Sequence, residues 1–147
     1  MNRSPVTVAD PAPPADQLMF SLLGAAHVLE ARIEDELGQV GLSMSKLGVL
    51  TQLVEAGKPL PLSELAARLS CVRSNMTQLV DRLEAEGLVR RVDDPNDRRS
   101  VLAMVTELGE EKQSAGASQL AGVRERFVDL LPAGDRAVLA RALAALG

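Results

Sequence analysis

The segment from Arg90 to Leu102, RRVDDPNDRRSVL, places two arginines directly after a run of acidic and turn-forming residues. Asp94-Pro95-Asn96-Asp97 is typical of a type I turn, with aspartate first and proline, whose φ is fixed, second. Apolar residues on both sides predict strands, so a β-hairpin over about 88–105 carries Arg98 and Arg99 at an exposed tip. Guanidinium groups at such a tip suit a narrow minor groove of DNA or its phosphates.

Asp97 immediately precedes these arginines. We expect its carboxylate to orient a neighbouring guanidinium through a bidentate pair. A local ion pair that only stabilises the turn is the structural alternative, and the two roles are compatible.

The segment RSNMTQLVDRLEAEG predicts a helix with two different faces. Met76, Leu79, Val80 and Leu83 recur at helical spacing and predict the buried face. The other face carries Arg73, Ser74, Asn75, Thr77, Gln78, Asp81 and Arg82. Asparagine and glutamine can bond adenine edges, serine and threonine bond bases or phosphates, and arginine suits guanine or phosphate. This face therefore indicates a DNA reader, with an ordinary solvated helix face as the alternative.

Cys71 and His27 are the only cysteine and the only histidine. Oxidation of Cys71 would disturb the neighbouring helix, but a small buried apolar role is the interpretation we favour. His27 could contact a small effector or a metal ion across a two-fold axis, although no cluster of ligands supports a metal site. With no catalytic set and no glycine-rich phosphate loop, we predict no enzyme, no metal and no cofactor.

The 147 residues suit one domain of ordinary size, and aliphatic residues dominate, with Phe20 and Phe127 the only aromatics. This composition favours packed helices. The net charge of −4 opposes non-specific attachment to nucleic acid, but seven arginines lie between Arg68 and Arg99. Binding should therefore depend on sequence or shape readout.

Apolar periodicity predicts six helices and one hairpin, a mainly α fold. The predicted helix caps are Asp16, Ser43, Ser63 and Thr106. Glycines within the fifth helix, which ends near Leu130, are expected to weaken it. Short helices followed by a two-stranded hairpin predict a winged helix-turn-helix over 43–105. Residues 1–15 are predicted to be a disordered tail.

The helices predicted over 16–42 and 106–147 carry apolar stripes that the small central lobe cannot cover. A second copy of the chain is the simplest partner, so we predict a dimer through these helices. No segment resembles a signal peptide or a membrane span, which predicts a cytoplasmic protein without membrane contact.

Residues 62–109 resemble the DNA-binding core of the MarR (multiple antibiotic resistance regulator) family. The resemblance rests on the LxxLAxxL helix, on the recognition-helix pattern TxLVDRLExxGLV and on the wing DPNDRRS. The chain departs from the family at LSCV, where LGVS is more usual. Ser70 replaces the glycine and Val72 replaces the cap serine, so Ser74 becomes the candidate cap of the recognition helix.

The resemblance implies a homodimeric transcription factor, usually a repressor, that binds a near-palindromic operator in double-stranded DNA. Its recognition helix, about 73–87, would enter the major groove, and Arg99, braced by Asp97, would enter the minor groove. Asp81 and Arg82 would have structural or phosphate-contacting roles. A small effector would bind between the dimer helices and the DNA-binding lobe and weaken DNA affinity. The alternatives are a winged-helix module for protein assembly and a redox-responsive regulator that uses Cys71.

Overall fold

The computed structural model describes residues 11–147, so the predicted disorder of residues 1–10 lies outside the described part of the chain. The mainly α architecture with a winged hairpin is confirmed, and a third short strand is added. The elements in chain order are α1 (Ala15–Gly38), α2 (Met44–Ala56), β1 (Leu60–Pro61), α3 (Leu62–Arg68), α4 (Arg73–Ala85), β2 (Val89–Asp94), β3 (Asp97–Val105), α5 (Glu107–Asp129) and α6 (Ala133–Ala144).

Two of the predicted helix caps are confirmed by hydrogen bonds. The Ser43 hydroxyl accepts from the backbone N–H of Lys46 at 3.2 Å, and the Thr106 hydroxyl accepts from Gly109 at 3.1 Å. Each bond satisfies a backbone N–H group that has no partner inside its own helix.

Three other cap predictions are wrong. Asp16 lies inside the first turn of α1, and Ser63 lies inside α3, whose N-cap is Pro61. Pro61 pairs with β3 at the edge of the sheet, and its φ of −60° directs the chain into a helix one residue before the serine. Ser74 lies within α4, because that helix begins at Arg73.

The sheet has the strand order β1-β3-β2, with both pairings antiparallel. β2 and β3 form the predicted hairpin around the two-residue turn Pro95-Asn96, with a register shift between Asp93 and Asp94. β1 pairs Leu60 with Ala103. A two-residue strand that contains proline has no alternating apolar pattern, and the sequence did not predict it.

The core of the lobe lies between α2, α3, α4 and the sheet. Helix α4 contributes Met76, Val80 and Leu83, all fully buried. Helix α2, the strands and the residue before β2 enclose them with Val49, Leu50, Leu53, Leu60, Leu88, Val89 and Ala103. The buried face of α4 is therefore fixed, and its polar face points away from the core.

Two glycines of α5, Gly109 and Gly116, are places of close packing. A Cβ atom on Gly109 would lie 2.0 Å from the carbonyl oxygen of Leu88. A Cβ atom on Gly116 would lie 2.7 Å from a methyl group of Leu42. These two positions let α5 approach its neighbours more closely than any larger residue would allow.

Contacts divide the chain into two units, with the boundary inside α1 between Ala31 and Arg32. In the first unit, the α1 residues Leu18, Met19, Phe20, Leu22, Leu23 and Val28 are exposed. In the second unit, α6 has no buried residue, and Val138, Leu143 and Leu146 are exposed. Each unit thus carries exposed apolar side chains.

Candidate nucleic-acid interface

Helix α4 presents on its exposed face all the residues of the recognition helix that were predicted to face DNA. The side chains of Arg73, Ser74, Asn75, Thr77, Gln78, Asp81 and Arg82 are all exposed. The Thr77 hydroxyl donates a hydrogen bond to the carbonyl oxygen of Arg73 at 3.1 Å, which leaves its own oxygen as an acceptor. The first two turns therefore offer donors and acceptors of the kinds that bond to base edges and phosphates.

The turn between α3 and α4 sets the direction in which α4 leaves the core. Ser70 has a φ of +50°, the left-handed conformation that glycine adopts without steric cost. The next residue is tied back to α3, because the N–H of Cys71 donates to the carbonyl of Ala66 at 2.9 Å. The Cys71 thiol is half-buried against the core and donates to the carbonyl of Val72 at 3.4 Å. The favoured packing role of this cysteine agrees with that position.

The wing tip differs from expectation in one contact. The Asp97 carboxylate accepts from the backbone N–H of Arg99 at 2.9 Å rather than pairing with a guanidinium. Asp94 makes the equivalent bond to the N–H of Asn96 at 2.9 Å. Both aspartates thus accept hydrogen bonds from backbone N–H groups of the turn. Aspartate commonly bonds in this way to the backbone two residues further on. Within residues 11–147, neither Arg98 nor Arg99 forms an ion pair, and both side chains are exposed.

Arg91 connects the wing to α4, and sequence reasoning missed this role. From β2, its guanidinium pairs with Asp81 at 2.5 Å and also with Glu84. Its backbone N–H donates to Glu84 at 3.1 Å. The spacing of Asp81 and Glu84 could have indicated a site for a basic side chain, since residues three apart lie on the same helix face.

The charges of this cluster stabilise one another. The backbone N–H of Arg91, followed by its guanidinium, lowers the pKa of Glu84 below its ordinary value. Burial opposes the charge of Arg91, but hydrogen bonds to Asp81 and Glu84 prevail and raise the pKa of Arg91. Glu84 and Arg91 are therefore ionised near neutral pH, and the Arg91 guanidinium binds both acidic side chains, Asp81 and Glu84, on α4.

A polar cleft of about 310 Å³ extends the exposed face of α4 towards the start of α2. Asn75, Gln78 and Arg82 line one side, and Ser43, Ser45 and Lys46 line the other. The Lys46 ammonium pairs with Glu86 at 2.6 Å. Sequence reasoning missed the α2 residues, because nothing local to them indicates that α2 begins beside α4.

An apolar cavity of about 220 Å³ lies between the C-terminal part of α1, α2 and α5. Ile33, Leu37, Met44, Leu47, Leu69 and Leu120 contribute most of its lining, and Thr51 and Gln52 add polar groups. Such a mostly apolar cavity with a few polar groups is typical of a small-molecule site.

His27 is exposed on α1, and the described residues contain no group of histidine, cysteine, aspartate and glutamate side chains that could hold a metal ion. In residues 11–147, no helix is both long enough and apolar enough to cross a membrane.

The fold is that of a winged helix-turn-helix protein. It consists of the helices α2, α3 and α4 and a three-stranded sheet, and the β2–β3 hairpin of this sheet forms the wing. Residues 42–101 match the model of the MarR family. The HTH-type transcriptional repressor MdtR of Bacillus subtilis is 31% identical over 136 residues, which cover 90% of this chain and 77% of MdtR.

Two further comparisons agree. The uncharacterized HTH-type transcriptional regulator YkoM of B. subtilis is 38% identical over 71 residues, which cover 48% of this chain and 46% of YkoM, so the chain spans about half of that relative. Sco3205, a MarR family transcriptional regulator from Streptomyces coelicolor solved in complex with DNA, has a TM-score of 0.78 and 29% identity. That likeness covers 95% of this chain and 90% of Sco3205.

The chain belongs to the MarR family of transcriptional regulators. The family resemblance seen in the motifs is confirmed, and the members of this family are transcriptional regulators rather than enzymes.

Proposed function

We propose that two copies of the chain form a dimer that binds a near-palindromic operator in double-stranded DNA. Helix α4 enters the major groove of each half-site, and the tip of the β2–β3 hairpin enters the adjacent minor groove. The observation that carries this proposal is the set of exposed polar residues on α4, together with Arg98 and Arg99, which have no ion-pair partner in residues 11–147. Sco3205, which has the same fold, was solved in complex with DNA.

The site residues have different roles in this proposal. Arg73, Ser74, Asn75, Thr77 and Gln78 bond to base edges and flanking phosphates, and Arg82 contacts a phosphate. Arg99 enters the minor groove, and Arg98 contacts the backbone beside it. Asp97 shapes the loop through its bond to the Arg99 N–H, which fixes the backbone from which the Arg99 side chain extends.

The dimer uses the apolar side chains left exposed on α1 and α6. Val138 and Leu143 of α6 are exposed by 55% and 45%, and Leu146, just after the end of α6, is exposed by 71%. Exposed apolar residues grouped on a helix favour a protein partner, and a second copy is the commonest one.

We further propose that the protein is a repressor and that a small effector relieves repression. MdtR, which matches over most of this chain, is a transcriptional repressor. The cavity beside Leu37, Leu47 and Leu120 lies between helices proposed for the dimer and α2 of the lobe. An effector bound there would contact both parts, and so it could change their arrangement.

The test is fluorescence anisotropy of the full chain with DNA that flanks its own gene, at two salt concentrations. Wild type should bind tightly, with affinity falling steeply as salt rises, because phosphate contacts release counterions. Arg99→Ala should bind at least about tenfold more weakly, with a salt slope lower by about one. Arg124→Ala is the matched control, since Arg124 is an exposed arginine on α5, and it should bind like wild type.

Equal losses in both variants would contradict the wing assignment. If the flanking DNA does not bind, selection from a random-sequence pool replaces it as the source of an operator. Failure to select any sequence would favour a winged-helix module for protein assembly. Footprints on a bound operator should show two half-sites roughly 34 Å apart, one helical turn.

A further inference from the structure

Val72 occupies a position where helix chemistry favours a polar residue. It is the N-cap of α4, with φ −70° and ψ 146°, and its side chain makes no capping hydrogen bond. Serine, threonine, aspartate or asparagine at this position would accept a hydrogen bond from the first turn, and valine cannot. Valine therefore costs α4 some stability.

Core packing does not account for this valine either. The Val72 side chain is 61% exposed, whereas Met76, Val80 and Leu83 of the same helix are fully buried. Its backbone is held firmly, because its carbonyl accepts from the N–H of Met76 at 3.1 Å and from the Cys71 thiol at 3.4 Å. The apolar side chain of Val72 is thus exposed at the N-terminal end of α4, on a backbone held by two hydrogen bonds.

The N-terminal end of a recognition helix is the part that meets base edges. The C5-methyl group of thymine is an apolar feature of the major-groove edges, and apolar side chains recognise it by contact. The next residues, Arg73, Ser74 and Asn75, are exposed and supply polar groups for the adjoining positions.

We propose that Val72 is a specificity-determining residue that packs against the C5-methyl group of one thymine in each half-site. This inference rests on the proposed function, in which α4 lies in the major groove. A serine cap at the same position would present a hydroxyl and would not distinguish this methyl group.

The experiment first selects duplexes from a random-sequence pool with the full chain. Each thymine of the enriched site is then replaced singly by uracil, which removes only the methyl group. Wild type should lose about fourfold in affinity at one thymine per half-site, the effect of one buried methyl-sized group. Val72→Ser should bind the thymine and uracil duplexes equally and should bind the thymine duplex more weakly than wild type does.

Two further variants and a melting curve separate this role from a structural one. Val72→Thr keeps one methyl group and should keep part of the discrimination. Val101→Ser removes another exposed valine, 41% exposed on the wing, and should discriminate like wild type, because the minor groove does not display the thymine methyl. Val72→Ser should also melt at a higher temperature than wild type, since serine restores the cap. A structural role would lower stability and affinity together.

Discrimination that persists in Val72→Ser would overturn the inference, as would an enriched site in which no thymine is sensitive to loss of its methyl group. Both results leave the DNA-binding proposal intact. If the pool yields no enriched sequence, the DNA-binding proposal itself fails, and the inference about Val72 fails with it.

Discussion

Arg91 on β2 and Asp81 on α4 form an ion pair in which Nη2 lies 2.5 Å from Oδ1. The same guanidinium bonds to Glu84, one turn further along the helix. A residue at the base of the wing is therefore bound to the helix proposed to read DNA. This contact joins two elements that we propose enter adjacent grooves, so we expect Arg91 to position them without touching DNA itself.

The first prediction concerns the coupling between these two residues. A double-mutant cycle with Asp81→Asn and Arg91→Gln should give a coupling free energy of about 0.5–1 kcal/mol, since the Asp81 side chain is 57% exposed and solvent screens the pair. Urea denaturation of the four proteins measures it, and the value should fall as salt rises. Zero coupling at low salt would show that the contact does not join the wing to α4.

The second prediction is a pH dependence from Glu84. Its pKa in the folded chain lies below the ordinary value of 4.5, first because the backbone N–H of Arg91 bonds to the ionised form. The stability that this carboxylate contributes is therefore complete above pH 4.5, and it is lost as the pH falls through the lowered folded-state pKa. Glu84→Gln should be less stable than wild type at pH 7, and the two should converge on acidification below pH 4.5. A gap that stays constant with pH would show that the carboxylate charge is not the source.

The third prediction concerns the strained turn before α4. Ser70→Gly should raise the free energy of unfolding by about 1 kcal/mol. The φ of +50° at Ser70 is sterically unfavourable for any residue with a Cβ atom, and glycine has none. Ser63→Gly is the control inside α3, and it should lower stability by about 0.5 kcal/mol through poorer helix propensity. Thermal melts compare the two, and a loss of stability in both would contradict the strain at Ser70.

The fourth prediction uses two glycines of α5. Gly109→Ala should destabilise the protein by about 1–3 kcal/mol, because the new Cβ would lie 2.0 Å from the Leu88 carbonyl, which also accepts from the N–H of Thr106. Gly122→Ala should stabilise it by up to about 1 kcal/mol, since the nearest atom is the far end of Arg126 at 3.4 Å. Urea denaturation measures both, and a stabilising Gly109→Ala would refute the close approach.

The fifth prediction tests the proposed dimer. Leu143→Glu on α6 should yield a monomer in sedimentation experiments, because a charge would be buried without a partner in the interface. Leu108→Glu is the matched control, since Leu108 and Leu143 are 46% and 45% exposed, and it should leave the dimer intact. Removal of residues 1–12 should also leave the dimer intact, and a monomeric product would show that this segment takes part in association.

Several features of the fold and of the candidate site follow from the sequence alone. The spacing of Met76, Val80 and Leu83 fixed the buried face of α4, and the polar residues between them had to face outwards. The hydroxyl caps at Ser43 and Thr106 and the turn at Pro95-Asn96 were predicted correctly, because each depends on contacts within a few residues.

Only the tertiary structure decided the contacts that join distant segments. β1 exists because Leu60 meets Ala103, and α3 begins before its serine because Pro61 belongs to that strand. Arg91 binds Asp81 and Glu84 because β2 returns alongside α4. Helix caps and apolar helix faces depend on residues that are close together in one segment of the chain. Strand pairing, ion pairs between elements and the space around a glycine depend on which distant segments come together when the core forms.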